Sequence, residues 1–239
     1  MAENKSKILV IGHKGASKIK PENTLIAFQK AIELQADYIE FDIQASKDGE
    51  IIVFHDYDIL RITGLEGSIE EMTLEELKQL DIGNGERIPT LQEVIELAMG
   101  KIGLQIEIKC EDIGKKVVEM LRNAKLIESS IISSFIHNEL LRIQKLEPKL
   151  KLGALISERV SNPKDLKKAT KRVIKKKFYA VHPHFRGVNQ MLVNYAHSND
   201  LKVNVWTVNE MNDIERLIAL GVDGIITDDI QLAKELLGR

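Results

Sequence analysis

Residues 37–54 read DYIEFDIQASKDGEIIVF, and the predicted fold depends on this stretch. It contains two β-type runs, 37–43 and 51–54, separated by little more than the SKDG of residues 46–49. A parallel crossover needs a dozen or more residues, whereas Asp-Gly favours a hairpin turn. The second run is therefore predicted to lie antiparallel to the first, outside any parallel sheet.

Short β-type runs alternate with amphipathic helical segments along the whole chain. Strands are predicted at residues 8–12, 37–43, 51–54, 104–109, 130–134, 151–155, 178–182, 202–206 and 223–227. Helices are predicted near residues 24–36, 91–99, 112–124, 138–146, 163–175, 188–199, 210–219 and 230–237. Without the hairpin strand, eight βα units remain, which predicts an α/β fold, a (β/α)₈ TIM barrel.

The barrel is expected to form one domain over residues 1–239, with an insertion at 44–88 after the second strand. A short helix is predicted inside the insertion, because Thr73 is followed three residues later by Glu76. Thr90 and Glu93 repeat this capping box where the barrel resumes.

Composition excludes several classes of protein. The hydrophobic fraction of 44% is typical of a globular chain, and the net charge of −2 predicts no nucleic-acid partner. Cys110 is the only cysteine, so no internal disulfide can form. The first residues, MAENKSK, lack the apolar region of a signal peptide, and no transmembrane segment is predicted. These features predict a cytoplasmic protein.

Polar residues follow several predicted strands at the point where each strand ends. Barrel enzymes place their chemistry at these C-terminal ends, so the side chains are expected to converge on one rim. The residues in question are His13, Glu40, Asp42, Glu107, Lys109, Trp206, Thr207, Asp228 and Asp229, with His55 after the hairpin strand.

Glu40 and Asp42 are two residues apart on a strand, so they share one face. Apolar residues 39, 41 and 43 suit the helix-covered face, which leaves the two carboxylates inside the barrel. The same alternation turns Glu107 and Lys109 inward. Three crowded carboxylates repel one another unless a cation lies between them, and oxygen ligands favour Mg²⁺ or Ca²⁺, with Mn²⁺ also suitable. The simpler interpretation is a buried Glu–Lys ion pair beside surface acids.

The histidines and the single tryptophan allow more than one interpretation. His13 and His55 at one rim suit an acid–base pair near neutral pH, although either could instead ligate a metal. The other four are expected in loops, at the rim or on the surface: His137, His182, His184 and His197. Trp206 fits either the core or the apolar wall of a substrate pocket.

Residues 164–177 contain eight lysines and arginines interspersed with an apolar stripe at helical spacing. The simplest interpretation is a barrel helix with a solvated basic face. Contact with an anionic membrane surface is the alternative.

Taken together, these residues resemble the glycerophosphodiester phosphodiesterase family. The stretches that carry the resemblance are HKG at 13–15, PENT at 21–24, EFD at 40–42, HD at 55–56, IPTL at 88–91, EIK at 107–109, WTVN at 206–209 and GIITD at 224–228. Each is weak alone, but their order and spacing cover nearly the whole chain. The resemblance implies a (β/α)₈ barrel that hydrolyses glycerophosphodiesters to sn-glycerol 3-phosphate and an alcohol.

The resemblance also implies roles for individual residues. One divalent metal ion would be held by Glu40, Asp42 and Glu107, and His13 and His55 would be the catalytic acid–base pair. Substrate would be bound by Lys14, Lys109 and Trp206. Lys14 stands where the family usually has arginine, so a point charge replaces a bidentate phosphate ligand at that position.

Two other functions remain open at this level. One is a lysophospholipase D-like lipid phosphodiesterase, and the other is a non-catalytic barrel that binds a phosphometabolite. The residues do not decide the preferred alcohol, the physiological metal, the oligomeric state, or whether water or the substrate's 2-hydroxyl attacks.

Overall fold

The structure, a computed structural model, describes residues 8–239. Its nine strands in this range are β1 (Leu9–Gly12), β2 (Tyr38–Ala45), β3 (Ile51–Val53), β4 (Gly103–Ile108), β5 (Ser130–Ser134), β6 (Lys151–Ile156), β7 (Ala180–Pro183), β8 (Lys202–Val205) and β9 (Gly224–Thr227). The first five α-helices are α1 (Leu25–Glu33), α2 (Leu60–Thr63), α3 (Leu74–Gln79), α4 (Leu91–Ala98) and α5 (Gly114–Asn123). The others are α6 (His137–Leu146), α7 (Pro163–Lys175), α8 (Gln190–His197), α9 (Met211–Leu220) and α10 (Ile230–Leu237).

Eight parallel strands close into a barrel. Each strand pairs with the next in chain order once β3 is left out, and β1 pairs with both β2 and β9, which closes the ring. β3 pairs antiparallel with β2, with Ile43 opposite Val53, and its Ile52 forms a single antiparallel bridge with Thr90 before α4. The TIM barrel and the hairpin outside it are therefore both confirmed.

Alternation along β2 separates the two sides of the barrel wall. Ile39, Phe41 and Ile43 are fully buried in the core between strands and helices. The ring of Phe41 lies 5.4 Å from that of Phe28 on α1. Glu40 and Asp42 point the other way, as predicted, into the space enclosed by the strands.

Residues between β2 and α4 build a second, smaller apolar core. Its buried members are Ile52, Phe54, Ile59, Ile69, Leu77, Leu80, Ile82 and Ile88. α3 begins at Thr73 and α4 at Thr90, each with its predicted capping box. The four-residue helix α2 and the 3₁₀ turn Ile69–Glu71 were not predicted, because both are shorter than a periodic pattern can reveal.

The predicted lack of a signal peptide concerns the first seven residues, which lie outside the described range. Across residues 8–239, every helix is too short or too polar to cross a lipid bilayer.

Candidate active site at the barrel rim

A cavity of about 370 Å³ opens at the C-terminal ends of the strands. Seven of the eight predicted site residues line it: His13, Glu40, Asp42, His55, Glu107, Lys109 and Trp206. Its outer wall is formed by Phe135 and by residues of the loop that follows β6. The volume lies within the range of small-molecule sites.

The three carboxylates form one cluster. Each of Glu40, Asp42 and Glu107 is buried, and one ligand oxygen from each lies within 4.8 Å of the others. β2 and β4 pair with Asp42 directly opposite Glu107, which explains this proximity. Burial and the neighbouring Asp42 charge raise the pKa of Glu40 to about 7 and that of Glu107 to about 8.

Lys109 lies beside this cluster. Its Nζ is 3.1 Å from Glu107 Oε1 and 3.4 Å from Asp42 Oδ1. Burial raises the pKa of Asp42, but Lys109 and His55 outweigh it, so the net shift is downward. The predicted Glu–Lys ion pair therefore exists, but one ammonium cannot neutralise three carboxylates. The donors are all oxygen, and ionising all three carboxylates would leave an excess negative charge that fits a divalent cation.

His13 forms a hydrogen-bonded pair with Asp228, since its Nδ1 lies 2.7 Å from Asp228 Oδ1. Asp228 also accepts hydrogen bonds from Ser17 Oγ at 2.8 Å and Asn209 Nδ2 at 2.5 Å. Burial lowers the pKa of His13, but the Asp228 hydrogen bond and the Glu40 charge reverse this, so the net shift is upward. The other ring nitrogen of His13, Nε2, takes no part in this hydrogen bond.

His55 has an equivalent partner in the adjacent residue. Its Nδ1 lies 2.6 Å from Asp56 Oδ1, while Asp56 Oδ2 accepts from Arg61 Nε at 2.6 Å. Burial, together with the charges of Lys109 and Lys14, lowers the pKa of His55. The two histidines therefore share one cavity, and each has a carboxylate at Nδ1.

The PENT stretch does more than cap a helix. Thr24 is the N-cap of α1, accepting from Ala27 N. Asn23 takes a left-handed backbone conformation, with φ of 57°, and donates from Nδ2 to Asp42 Oδ2 at 3.0 Å. Glu22 Oε1 contacts Lys14 Nζ at 3.0 Å and Arg61 Nη2 at 2.6 Å. The sequence pattern identified this stretch as part of the family resemblance but did not predict these contacts.

The turn after β1 brings Lys14 next to the cluster. Lys14 has a φ of 53°, and its backbone N–H donates to Glu40 Oε2 at 3.0 Å. Gly15 follows with a φ of 86°, and a Cβ there would lie 2.8 Å from Ala27 atoms. The Lys14 ammonium is held by Glu22 at the edge of the site.

Trp206 is half-buried in the cavity wall. Its indole N–H donates to the His182 carbonyl at 2.8 Å, and its ring meets Phe135 edge-to-face at 5.6 Å. Of the two interpretations, the pocket wall fits the structure, because one side of the residue faces the cavity.

The expectation for His182 was wrong. This residue lies on β7, fully buried inside the barrel, with Nε2 3.3 Å from Asn204 Nδ2. Gly153 on β6 leaves room for the ring, since a Cβ there would lie 2.4 Å from it. His197, at the other end of the barrel, pairs with Asp223 at 2.7 Å. Neither contact can be read from neighbouring sequence positions.

Comparisons with known proteins agree with this geometry. The model of the glycerophosphoryl diester phosphodiesterase family matches residues 13–232. A glycerophosphodiester phosphodiesterase of Caldanaerobacter subterraneus subsp. tengcongensis is 42% identical over 236 residues, covering 93% of this chain and 95% of its relative.

Two solved structures illustrate the similarity of fold. A glycerophosphodiester phosphodiesterase of Thermotoga maritima aligns with a TM-score of 0.82 at 33% identity, covering 96% of this chain and 98% of that one. An Oleispira antarctica phosphodiesterase in complex with the product sn-glycerol 3-phosphate gives a TM-score of 0.87 at 28% identity, with coverage of 100% and 99%. The chain belongs to the glycerophosphoryl diester phosphodiesterase family.

Proposed function

We propose that the protein hydrolyses glycerophosphodiesters to sn-glycerol 3-phosphate and an alcohol, by a metal-dependent reaction with two catalytic histidines. The observation that carries this proposal is one cavity with two histidine–carboxylate pairs beside a buried cluster of three acids. Family membership supports the same activity.

Glu40, Asp42 and Glu107 are the residues that would hold the metal ion. Their oxygens lie close enough to share one cation. Burial, and after it the neighbouring Asp42 charge, raises the pKa of both Glu40 and Glu107, and a bound cation would offset both effects. A bound Mg²⁺, Ca²⁺ or Mn²⁺ would polarise the phosphodiester and neutralise its charge.

The histidines would move the protons. A tautomer with Nδ1–H donating to Asp228 or Asp56 leaves Nε2 of each ring available to the substrate. One ring takes the proton of the attacking hydroxyl group, from water or from the glycerol 2-hydroxyl. The other ring, protonated on both nitrogens, donates its Nε2 proton to the oxygen of the leaving alcohol. If the glycerol 2-hydroxyl attacks, the first product is a cyclic phosphate, which water then opens to sn-glycerol 3-phosphate with the two rings exchanging roles.

The remaining predicted residues would position the substrate. Lys109 lies in the cavity wall, where its ammonium can contact a phosphate oxygen. Lys14 would add a second positive charge once a phosphate competes with Glu22 for it. Trp206 and Phe135 would contact apolar parts of the substrate.

Substitution of the histidines tests the catalytic assignment. His13→Ala and His55→Ala are each expected to lower turnover of glycerophosphocholine at least ~100-fold, the low end for lost acid–base catalysis. Circular dichroism should show an intact barrel. Near-wild-type turnover in either variant would contradict the assignment. Parallel assays on a lysophospholipid separate the proposed activity from a lysophospholipase D.

Metal binding can be tested directly, in addition to the effect of chelation on turnover. Titration calorimetry of the chelator-treated protein with Mg²⁺, Ca²⁺ and Mn²⁺ should reveal one site for at least one ion. Glu107→Gln should weaken this binding at least roughly 10-fold, because it removes a ligand charge. Glu111→Gln, an exposed acid on the loop after β4, is the matched control. Full turnover after exhaustive chelation would refute the metal role.

A further inference from the structure

The basic segment predicted from the sequence is helix α7 with the two residues that follow it. Residues 163–177 contain eight lysines and arginines but only one acid, Asp165. This is a local net charge of +7 in a chain whose net charge is −2. The rest of the chain therefore has a net charge of −9 (−2 minus +7), so this segment is opposite in sign to the remainder of the protein.

Six of these cations share one exposed face of α7: Lys164, Lys167, Lys168, Lys171, Arg172 and Lys175. At 100° per residue they occupy roughly 140° of the helix circumference, over a length of about 17 Å. Leu166, Thr170 and Val173 are buried on the opposite side against the barrel. We call the six exposed cations the α7 basic face.

Across residues 8–239, none of the six forms an ion pair. Lys167 Nζ instead lies over the Tyr195 ring, 5.0 Å from its centroid. Elsewhere, surface cations such as Arg142 and Arg239 have carboxylate partners. The six like charges repel one another, and no carboxylate of residues 8–239 pairs with them to offset this repulsion. Binding of an external polyanion to the α7 basic face would therefore be favourable.

We propose that the α7 basic face docks the protein on an anionic phospholipid bilayer. A bilayer presents anionic headgroups over an area larger than this face, and the long lysine and arginine side chains can bend toward it from both sides of the helix. Single-stranded nucleic acid is typically bound by several aromatic side chains that stack on successive bases, whereas residues 163–177 have none. Within residues 8–239, Tyr195 is the one ring that contacts the α7 basic face, and Lys167 already lies over it. Charge complementarity therefore favours the membrane as the occupant.

α7 begins close to the cavity along the chain, and this part of the argument rests on the proposed function. Ser157, Glu158 and Arg159 line the cavity mouth, and α7 begins at Pro163, a few residues further along the chain. Docking through α7 would hold the mouth close to the lipid surface. The proposed substrate is what remains of a glycerophospholipid once both acyl esters are hydrolysed, so it is released at such a surface.

Vesicle co-sedimentation tests the proposal on the full-length protein. Wild type should bind vesicles of phosphatidylcholine with phosphatidylglycerol but not phosphatidylcholine alone, and added salt should weaken this binding. A variant with Lys164→Gln, Lys168→Gln, Lys171→Gln and Lys175→Gln should bind at least roughly 100-fold more weakly, since each cation contributes about fivefold.

A matched variant carries Lys47→Gln, Lys101→Gln, Lys115→Gln and Lys125→Gln, which are exposed lysines on other elements. It loses the same charge and should bind like wild type. Equal loss of binding in both variants would overturn the proposal, as would equal binding to neutral vesicles or tighter binding to an RNA oligonucleotide. Both variants should hydrolyse dissolved glycerophosphocholine at the wild-type rate, so failure of docking is distinct from failure of the proposed activity.

Discussion

At the scale of single residues, each catalytic candidate depends on a partner that fixes its ring. Asp228 and Asp56 occupy the Nδ1 side of His13 and His55, so the Nε2 atoms are the ones left for the proposed proton transfers. The pKa of Asp228 is lowered to about 2: burial would raise it, but the His13 hydrogen bond outweighs that effect. Asp228 is therefore an anion at neutral pH and stabilises a protonated His13.

Substitution of this partner gives a first prediction. Asp228→Asn should lower kcat about 10- to 1,000-fold, because the amide neither stabilises the imidazolium nor selects the tautomer. Steady-state kinetics on glycerophosphocholine measure the effect. Asp223→Asn is the control, since Asp223 pairs with His197 at the opposite end of the barrel. A similar loss in both variants would indicate general damage to the fold.

At the scale of elements, hydrogen bonds from the barrel and from the loop before α1 hold the hairpin insertion, and with it His55, beside the cavity. Gln44 Nε2 on β2 donates to the carbonyls of Phe54 and Asp56, at 2.9 and 2.7 Å. Arg61 on α2 bonds both Asp56 and Glu22, so it links the insertion to the loop before α1. These contacts fix the insertion against the first βα loop, next to Lys14.

A second prediction follows from this link. Arg61→Gln should lower kcat about 10- to 100-fold, because both His55 and Lys14 lose a fixed neighbour and small misplacements are costly. Metal affinity should remain unchanged, since Arg61 does not contact the acidic cluster. Arg61→Lys should recover part of the activity. Arg87→Gln, elsewhere in the insertion, is the control; wild-type kcat in Arg61→Gln would exclude a positioning role.

At the scale of the whole molecule, the barrel encloses a titratable group that the proposed mechanism does not use. Burial lowers the pKa of His182 to about 3, against an ordinary value of 6.5. At pH values between these two pKa values, the His182 side chain is protonated in the unfolded chain but neutral in the folded barrel. The free energy of unfolding therefore decreases as the pH falls through this window.

The third prediction concerns this pH dependence. His182 should contribute a slope of about 1.4 kcal/mol per pH unit below about pH 6, the value for one proton. Urea unfolding at several pH values measures it, with His182→Gln as the comparison, because glutamine does not titrate. Parallel slopes for the two proteins would mean that His182 is not excluded from protonation.

The extent of the domain and the cellular location remain predictions.

The sequence by itself determined whatever depends on local periodicity. Side-chain alternation placed Glu40 and Asp42 inside the barrel, and the short SKDG link excluded a parallel crossover. Capping boxes located the starts of α3 and α4. These features involve residues within a few positions of one another, so a single segment contains the information.

Tertiary structure alone decided which distant residues meet. His13 and Asp228 are 215 positions apart and come together only because β1 pairs with β9 when the barrel closes. Asn23 reaches Asp42, Arg61 reaches Glu22, and His182 fits against Gly153, each across separate elements. A periodic sequence pattern cannot predict such contacts. They depend on closure of the barrel and on packing between elements, and not on the conformational preferences of one segment.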